Sequence, residues 1–144
     1  MIFIASDHAG VELKTEVSEF IRSQGHELRD LGPQDTNSVD YPDYAHALAR
    51  SIEAGEARMG VLICGTGIGM SLAANRHPGV RAALCHDAFT AEMARRHNDA
   101  NVLCLGARVI GAGVALQMVG IFLATAFEGD RHQRRVDLIE IKSR

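Results

Sequence analysis

The chain lacks the marks of several large protein classes. Its three cysteines, Cys64, Cys85 and Cys104, are widely separated and form no Cys-x-x-Cys pair. An odd, scattered set of this kind excludes a disulfide framework and points to a reducing cytoplasm. Fifteen basic and eighteen acidic residues leave a formal charge of −3, and no basic run interleaved with aromatics occurs. Nucleic acid and anionic membrane surfaces are therefore not expected partners. The longest apolar segment, Val114 to Phe127, is too short to span a bilayer and is interrupted by Gln117. No charged-then-apolar leader opens the chain, since Met1 to Ala5 read as a strand. No repeat, low-complexity tract or linker divides it. The 144 residues fit one domain, 1–144, able to bury roughly 70% of its unfolded surface.

Short apolar runs alternate with helical patterns. The runs are Ile2–Ala5, His26–Leu31, Met59–Ile63, Val80–Leu84 and Val102–Leu105. Between them Leu13, Val17, Phe20 and Ile21 recur at helical spacing, as do Ala45, Leu48, Ala49 and Ile52. Further helices are predicted over Ser71–Asn75, Ala88–His97, Gly113–Ala126 and, more polar, Arg131–Ile141. Strand–helix alternation predicts an α/β fold: a Rossmann-like three-layer sandwich, its five-stranded parallel sheet covered by helices on both faces. Ligands of such sheets bind beyond the carboxyl ends of the strands. The residues that follow the strands are Ser6-Asp7-His8, Cys64-Gly65-Thr66, His86-Asp87 and Gly106-Ala107-Arg108, a polar rim.

The densest chemistry lies in Val61-Leu-Ile-Cys64-Gly-Thr66-Gly-Ile-Gly69-Met-Ser71, where a buried strand meets a glycine-rich turn. No Gly-Lys-Ser/Thr closes the turn, so it is not a phosphate loop of the nucleotidases. Its glycine spacing also departs from the dinucleotide fingerprint. Glycines here let backbone N–H groups approach a ligand, and a following helix start favours negative charge. A thiol at that point is expected to be partly thiolate near neutral pH, which makes Cys64 a candidate base or nucleophile. The plainer alternative is a tight turn with Cys64 as a small core residue. Cys85 and Cys104, within or at the ends of strands, read as core.

Other candidates have two readings each. His97 closes a helix in Arg95-Arg-His-Asn98-Asp, where it either complements the helix dipole or moves protons near neutral pH. Arg131 and Arg135, four apart on a predicted helix, suit a phosphate through paired hydrogen bonds or form a solvated basic end. Arg134 points elsewhere, to solvent. Asp7-His8 offers a metal pair, but no further ligand stands at a recognisable spacing, so no metal is assigned. Tyr41, in the turn Asp40-Tyr-Pro-Asp-Tyr44, either aims its hydroxyl at a ligand or covers the helix start.

These pieces resemble the type B ribose-5-phosphate isomerases, a family shared with the galactose-6-phosphate isomerase subunits. The matching segments are Ser6-Asp-His-Ala-Gly10, Asp40-Tyr-Pro-Asp-Tyr-Ala45, Ile63 to Ser71, Arg96-His-Asn-Asp99, Asn101-Val-Leu, Gly106-Ala-Arg-Val109 and Arg131-His-Gln-Arg-Arg-Val136. The cysteine loop and Arg96–Asp99 are the most specific. The resemblance implies aldose–ketose isomerisation in pentose phosphate metabolism, without metal or organic cofactor. It further implies a homodimer, with a tetramer left open, whose sites draw on both subunits; helix 131–141 would contribute to that contact. Carried over by position, Cys64 is the base, His97 the acid that opens the sugar ring, and Thr66 a proton shuttle. Asp7, His8, Tyr41, Asn98 and the loop Gly65, Thr66, Gly67, Ile68 and Gly69 would contact sugar or enediolate. Arg108, Arg131 and Arg135 would hold the phosphate, with His8 helping. Relatives without the cysteine place a glutamate just after the loop; Met70 stands there in this chain, so it is of the cysteine type.

The implied substrate pair is D-ribose 5-phosphate and D-ribulose 5-phosphate. Allose 6-phosphate, galactose 6-phosphate and a non-catalytic phosphosugar-binding role are the alternatives, and His132 has no assigned role.

Overall fold

A computed structural model describes residues 1–142. Five strands alternate with helices: β1 (Ile2–Ser6), a single 3₁₀ turn (His8–Gly10), α1 (Val11–Ser23), β2 (Leu28–Asp30), α2 (Tyr41–Glu53), β3 (Met59–Cys64), α3 (Ile68–Ala74), β4 (Ala82–Leu84), α4 (Ala88–Asn98), β5 (Val102–Gly106), α5 (Ala112–Ala124) and α6 (Arg131–Asp137). All pairs are parallel and the order is β2-β1-β3-β5-β4. β1, β3 and β5 are buried along their whole length, as continuous apolar runs covered on both faces must be.

Two apolar layers flank the sheet. On one side α1, α4 and α5 bring Val17, Ile21, Ala91, Met118 and Phe122 onto Ile4, Val61, Ile63 and Leu103. On the other, α2 and α3 bring Ala45, Leu48, Ala49 and Met70 onto Phe3, Leu62, Cys64 and Cys104. Strand order reverses beside β1 and β3, which opens a crevice beyond their carboxyl ends.

The predicted three-layer architecture is present, with shifted boundaries. β2 and β4 are three residues each, shorter than their apolar runs, because each lies at a sheet edge with one neighbour. α3 begins at Ile68, within the glycine turn rather than at Ser71. Gly67 supplies the turn with φ +80°, a left-handed conformation that costs glycine little. α6 ends at Asp137 rather than Ile141. Beyond it Leu138, Ile139 and Ile141 are exposed, so no apolar stripe holds a longer helix, and Glu140 instead accepts a hydrogen bond from the Gly79 N–H at 2.9 Å. Among the described residues no helix is long and apolar enough to cross a membrane.

Candidate active site

The carboxyl edge of the sheet gathers most of the predicted residues. Cys64 ends β3 and is buried, and its Sγ accepts the Gly67 N–H at 3.1 Å. Thr66 Oγ1 accepts the Ile68 N–H at 3.2 Å while the Thr66 side chain stays exposed. The turn is pinned to β5, since Ala107 N–H donates to the Cys64 carbonyl at 2.8 Å and Arg108 N–H to that of Gly65 at 3.0 Å.

Four neighbours surround this turn. Asp7 is buried, donates its N–H to the Ile63 carbonyl, and caps the 3₁₀ turn through the Ala9 N–H at 2.9 Å. His8 Nδ1 accepts the Val39 N–H at 3.2 Å, which fixes its ring. The Tyr41 ring lies against Gly69 so closely that a Cβ there would stand 2.5 Å from two ring carbons and 2.9 Å from the hydroxyl oxygen. The turn is glycine at 69 for that reason. Arg108 lies over Gly65, its Nη1 3.3 Å from where a Cβ would be.

The other two cysteines are inert by environment. Burial pushes the Cys104 thiol far above its usual range, and neighbouring Cys64 and Cys85 add to it. Burial likewise raises Cys85, with a Thr90 hydrogen bond opposing. Both match their reading as core.

His97, Asn98, Arg131 and Arg135 are elsewhere. A helix between two parallel strands runs back to their amino ends, so the end of α4 lies at the edge opposite Cys64. The anchors agree: the Gly60 N–H, at the start of β3, donates to the Asn101 carbonyl at 2.9 Å. Arg81, before β4, reaches the Asp99 carbonyl at 2.8 Å and its carboxylate at 3.2 Å. Arg95 locks the same corner through Asp99 at 2.8 Å and the Ala100 carbonyl at 2.6 Å. A single polar rim, as expected from the strand ends, thus holds Asp7, His8, Tyr41, the Cys64 loop and Arg108. It does not hold the second group.

At that second edge α6 packs on α4. The His132 ring stacks on His97 with centroids 4.3 Å apart and planes 12° from parallel. His132 is buried and its Nε2 has no hydrogen-bond partner. Desolvation first, then His97 and Arg131, hold its pKa below the usual imidazole value. Glu128 stands beside both rings and accepts from Arg96 Nε at 2.7 Å. Arg131, Arg134 and Arg135 are exposed. A cavity of about 540 Å³ opens at this edge between residues 75–83 and 139–141, with Asn98 on its lining.

Glu128 and the stacking of His132 on His97 escaped the sequence reading. Their four-residue spacing, Glu128 to His132, was an available signal. The opposite placement of His97 was also derivable, because helix direction in a parallel sheet follows from connectivity alone.

Fold and site place the chain in the doubly wound α/β class, with its candidate side chains beyond the carboxyl ends of β1 and β3. The sequence matches the ribose/galactose isomerase family model over residues 2–139, and the chain belongs to that family. It is 42% identical over 138 residues to the ribose-5-phosphate isomerase B of Escherichia coli, covering 96% of this chain and 93% of that one. A ribose 5-phosphate isomerase structure from Thermotoga maritima superposes with a TM-score of 0.93 at 51% identity, covering 96% and 95% of the two chains. A structure of the Mycoplasma genitalium ribose-5-phosphate isomerase B, with ribulose 5-phosphate bound, gives 0.92 at 45% identity, covering 96% and 92%.

Proposed function

We propose that this chain interconverts D-ribose 5-phosphate and D-ribulose 5-phosphate, with Cys64 as the base. The observation that carries the reading is the Gly67 N–H donated to Cys64 Sγ at the mouth of the crevice. Such a donor interacts more strongly with a charged acceptor than with a neutral one. Cys64 takes the proton from C2 of the open-chain aldose and returns it to C1, through an enediolate. The exposed Thr66 hydroxyl shuttles protons between the two oxygens. Loop N–H groups face the developing oxyanion, and donors of this kind are worth roughly 3–4 kcal/mol in measured systems. The reaction moves a proton within one molecule and has no net redox change, so it needs no external oxidant or reductant.

Ring opening is assigned to His97, and the phosphate to Arg108, Arg131 and Arg135, with Asn98 on the sugar. His97 and Cys64 lie at opposite edges of one chain, so one site needs two copies, each lending its α4–α6 corner to the other's Cys64 crevice. Support comes from the apolar residues around that crevice: Tyr41, Ile68, Phe89 and Val109 are all exposed, a ring that self-association would cover. The bound ribulose 5-phosphate of the Mycoplasma genitalium relative supports the substrate class.

A coupled assay with ribose 5-phosphate, beside allose 6-phosphate and galactose 6-phosphate, tests the reading. Pentose turnover is expected to fall by about 10²–10⁴-fold in Cys64→Ala, while titration still detects sugar phosphate binding. Undiminished turnover in Cys64→Ala would remove the assigned base. A preference for a hexose phosphate would keep the chemistry and change the substrate.

A further inference from the structure

His132 takes no part in the proposed reaction, yet it is one of the few polar side chains that the fold buries. It is 6% exposed, and its Nε2 has no hydrogen-bond partner. Such atoms are costly, and each calls for an explanation. What the ring does make is a flat contact: it lies on the His97 ring with centroids 4.3 Å apart and planes 12° from parallel. Because α6 packs on α4 here, the buried ring is a fixed backing for the half-exposed one. Burial above all holds the His132 pKa below the usual imidazole value. At neutral pH it is therefore uncharged and puts no second cation beside His97.

Glu128 stands near the same ring, its Oε1 3.7 Å from His97 Nε2. That is too long for a hydrogen bond. Catalytic hydrogen bonds are often long before substrate binds, however, and tighten in the complex. The carboxylate is held in place from α4 itself. Arg96 Nε donates to Oε1 at 2.7 Å, and the Glu128 N–H donates to the Arg96 carbonyl at 3.0 Å. A carboxylate oxygen has two lone pairs, so Oε1 has room for Arg96 and His97 together.

We propose that His132 and Glu128 are positioning residues for His97: the stacked ring sets its plane, and the carboxylate fixes which of its nitrogens carries the resting proton. A buried carboxylate does the same for the histidine of the serine protease triad. The proposal rests on the isomerase reading, in which His97 opens the sugar ring. It predicts an effect confined to one direction of the reaction. Ribose 5-phosphate is mostly a closed ring. In ribulose 5-phosphate the phosphate occupies the hydroxyl that would close a furanose, so the ketose is open from the start and calls for no ring opening.

The test is steady-state kinetics on the full-length protein in both directions, each sugar phosphate supplied alone. Glu128→Gln, at an exposed loop position, and His132→Ala should lower kcat with ribose 5-phosphate by roughly 10- to 10²-fold, up to the scale of a 1 Å misplacement, without raising KM. Their kcat with ribulose 5-phosphate, followed as loss of the ketose, should stay within about twofold of the parent. His132→Phe keeps a flat ring and removes the orphaned nitrogen, and should restore most of the kcat lost in His132→Ala. Equal losses in the two directions, a raised KM with kcat intact, or a His132→Phe as slow as His132→Ala would each overturn the proposal. A parent chain that turns over neither sugar would instead reject the isomerase reading, and the positioning role with it.

Discussion

Gly69 concentrates the residue-scale logic of the Cys64 crevice. It lies inside α3, where glycine costs about 1 kcal/mol relative to alanine, yet a Cβ would meet the Tyr41 ring at 2.5 Å. Tyr41 is 40% exposed, so its ring is free to swing away. Helix propensity and ring displacement therefore act on different properties. Gly69→Ala is expected to hold or raise the melting temperature while kcat/KM falls by up to roughly 10²-fold, the scale of a 1 Å misplacement. Thermal melts beside steady-state kinetics check this; a collapsed melting temperature with intact kinetics would contradict it. This close approach was not legible in the sequence, since nothing in Gly67-Ile-Gly69 reveals that a tyrosine 28 residues earlier (69 minus 41) lies on it. The positions of Cys64, Asp7 and Arg108 were legible because each stands at, or within two residues of, a strand end that an apolar run marks.

At the scale of elements, α4 shows how local capping positions a distant side chain. Asp87 caps its start, accepting the Thr90 N–H at 2.7 Å and the Thr90 hydroxyl at 2.9 Å. Asp99 closes its end in the left-handed region with φ 46°, held by Arg81 and Arg95. His97 is thereby fixed as the penultimate residue of the helix. The Thr90 backbone hydrogen bond, then its side chain, hold the Asp87 carboxyl below the usual aspartate range. A folded pKa below the unfolded one gives stability that is full above the unfolded value of about 3.9 and lost as pH falls through the folded value. Asparagine caps as well as aspartate but does not titrate. Asp87→Asn should therefore match the parent at neutral pH and lose less stability than the parent below about pH 4, read as melting temperature against pH. Parallel acid limbs would show that the cap does not titrate with folding. The long strands and α1, α2, α4 and α5 were legible from periodicity. The start of α3 was hidden by a helical glycine, and the end of α6 by apolar residues that the fold leaves exposed.

At the scale of the whole molecule, one chain carries its two groups of candidate site residues on opposite edges of its sheet. The Cys64 crevice is ringed by exposed apolar side chains, and the α4–α6 corner carries His97, Asn98, Arg131 and Arg135. The strand ends that the sequence marks as a polar rim do share one edge, while the direction of α4 carries His97 and Asn98 to the other. On the proposed reading neither half makes an isomerase alone, and assembly is part of the chemistry. Subunit mixing tests this most directly. Cys64→Ala and His97→Asn are each expected to be inactive as homodimers. Unfolded or dissociated together in equal amounts and reassembled, half the dimers are mixed, and one of the two sites in each holds both native residues. Recovery to about one quarter of the parent activity is predicted for such a shared two-fold site. Mixed dimers that form, by mass or charge, yet recover nothing would contradict it, because no site would then combine Cys64 of one copy with His97 of the other.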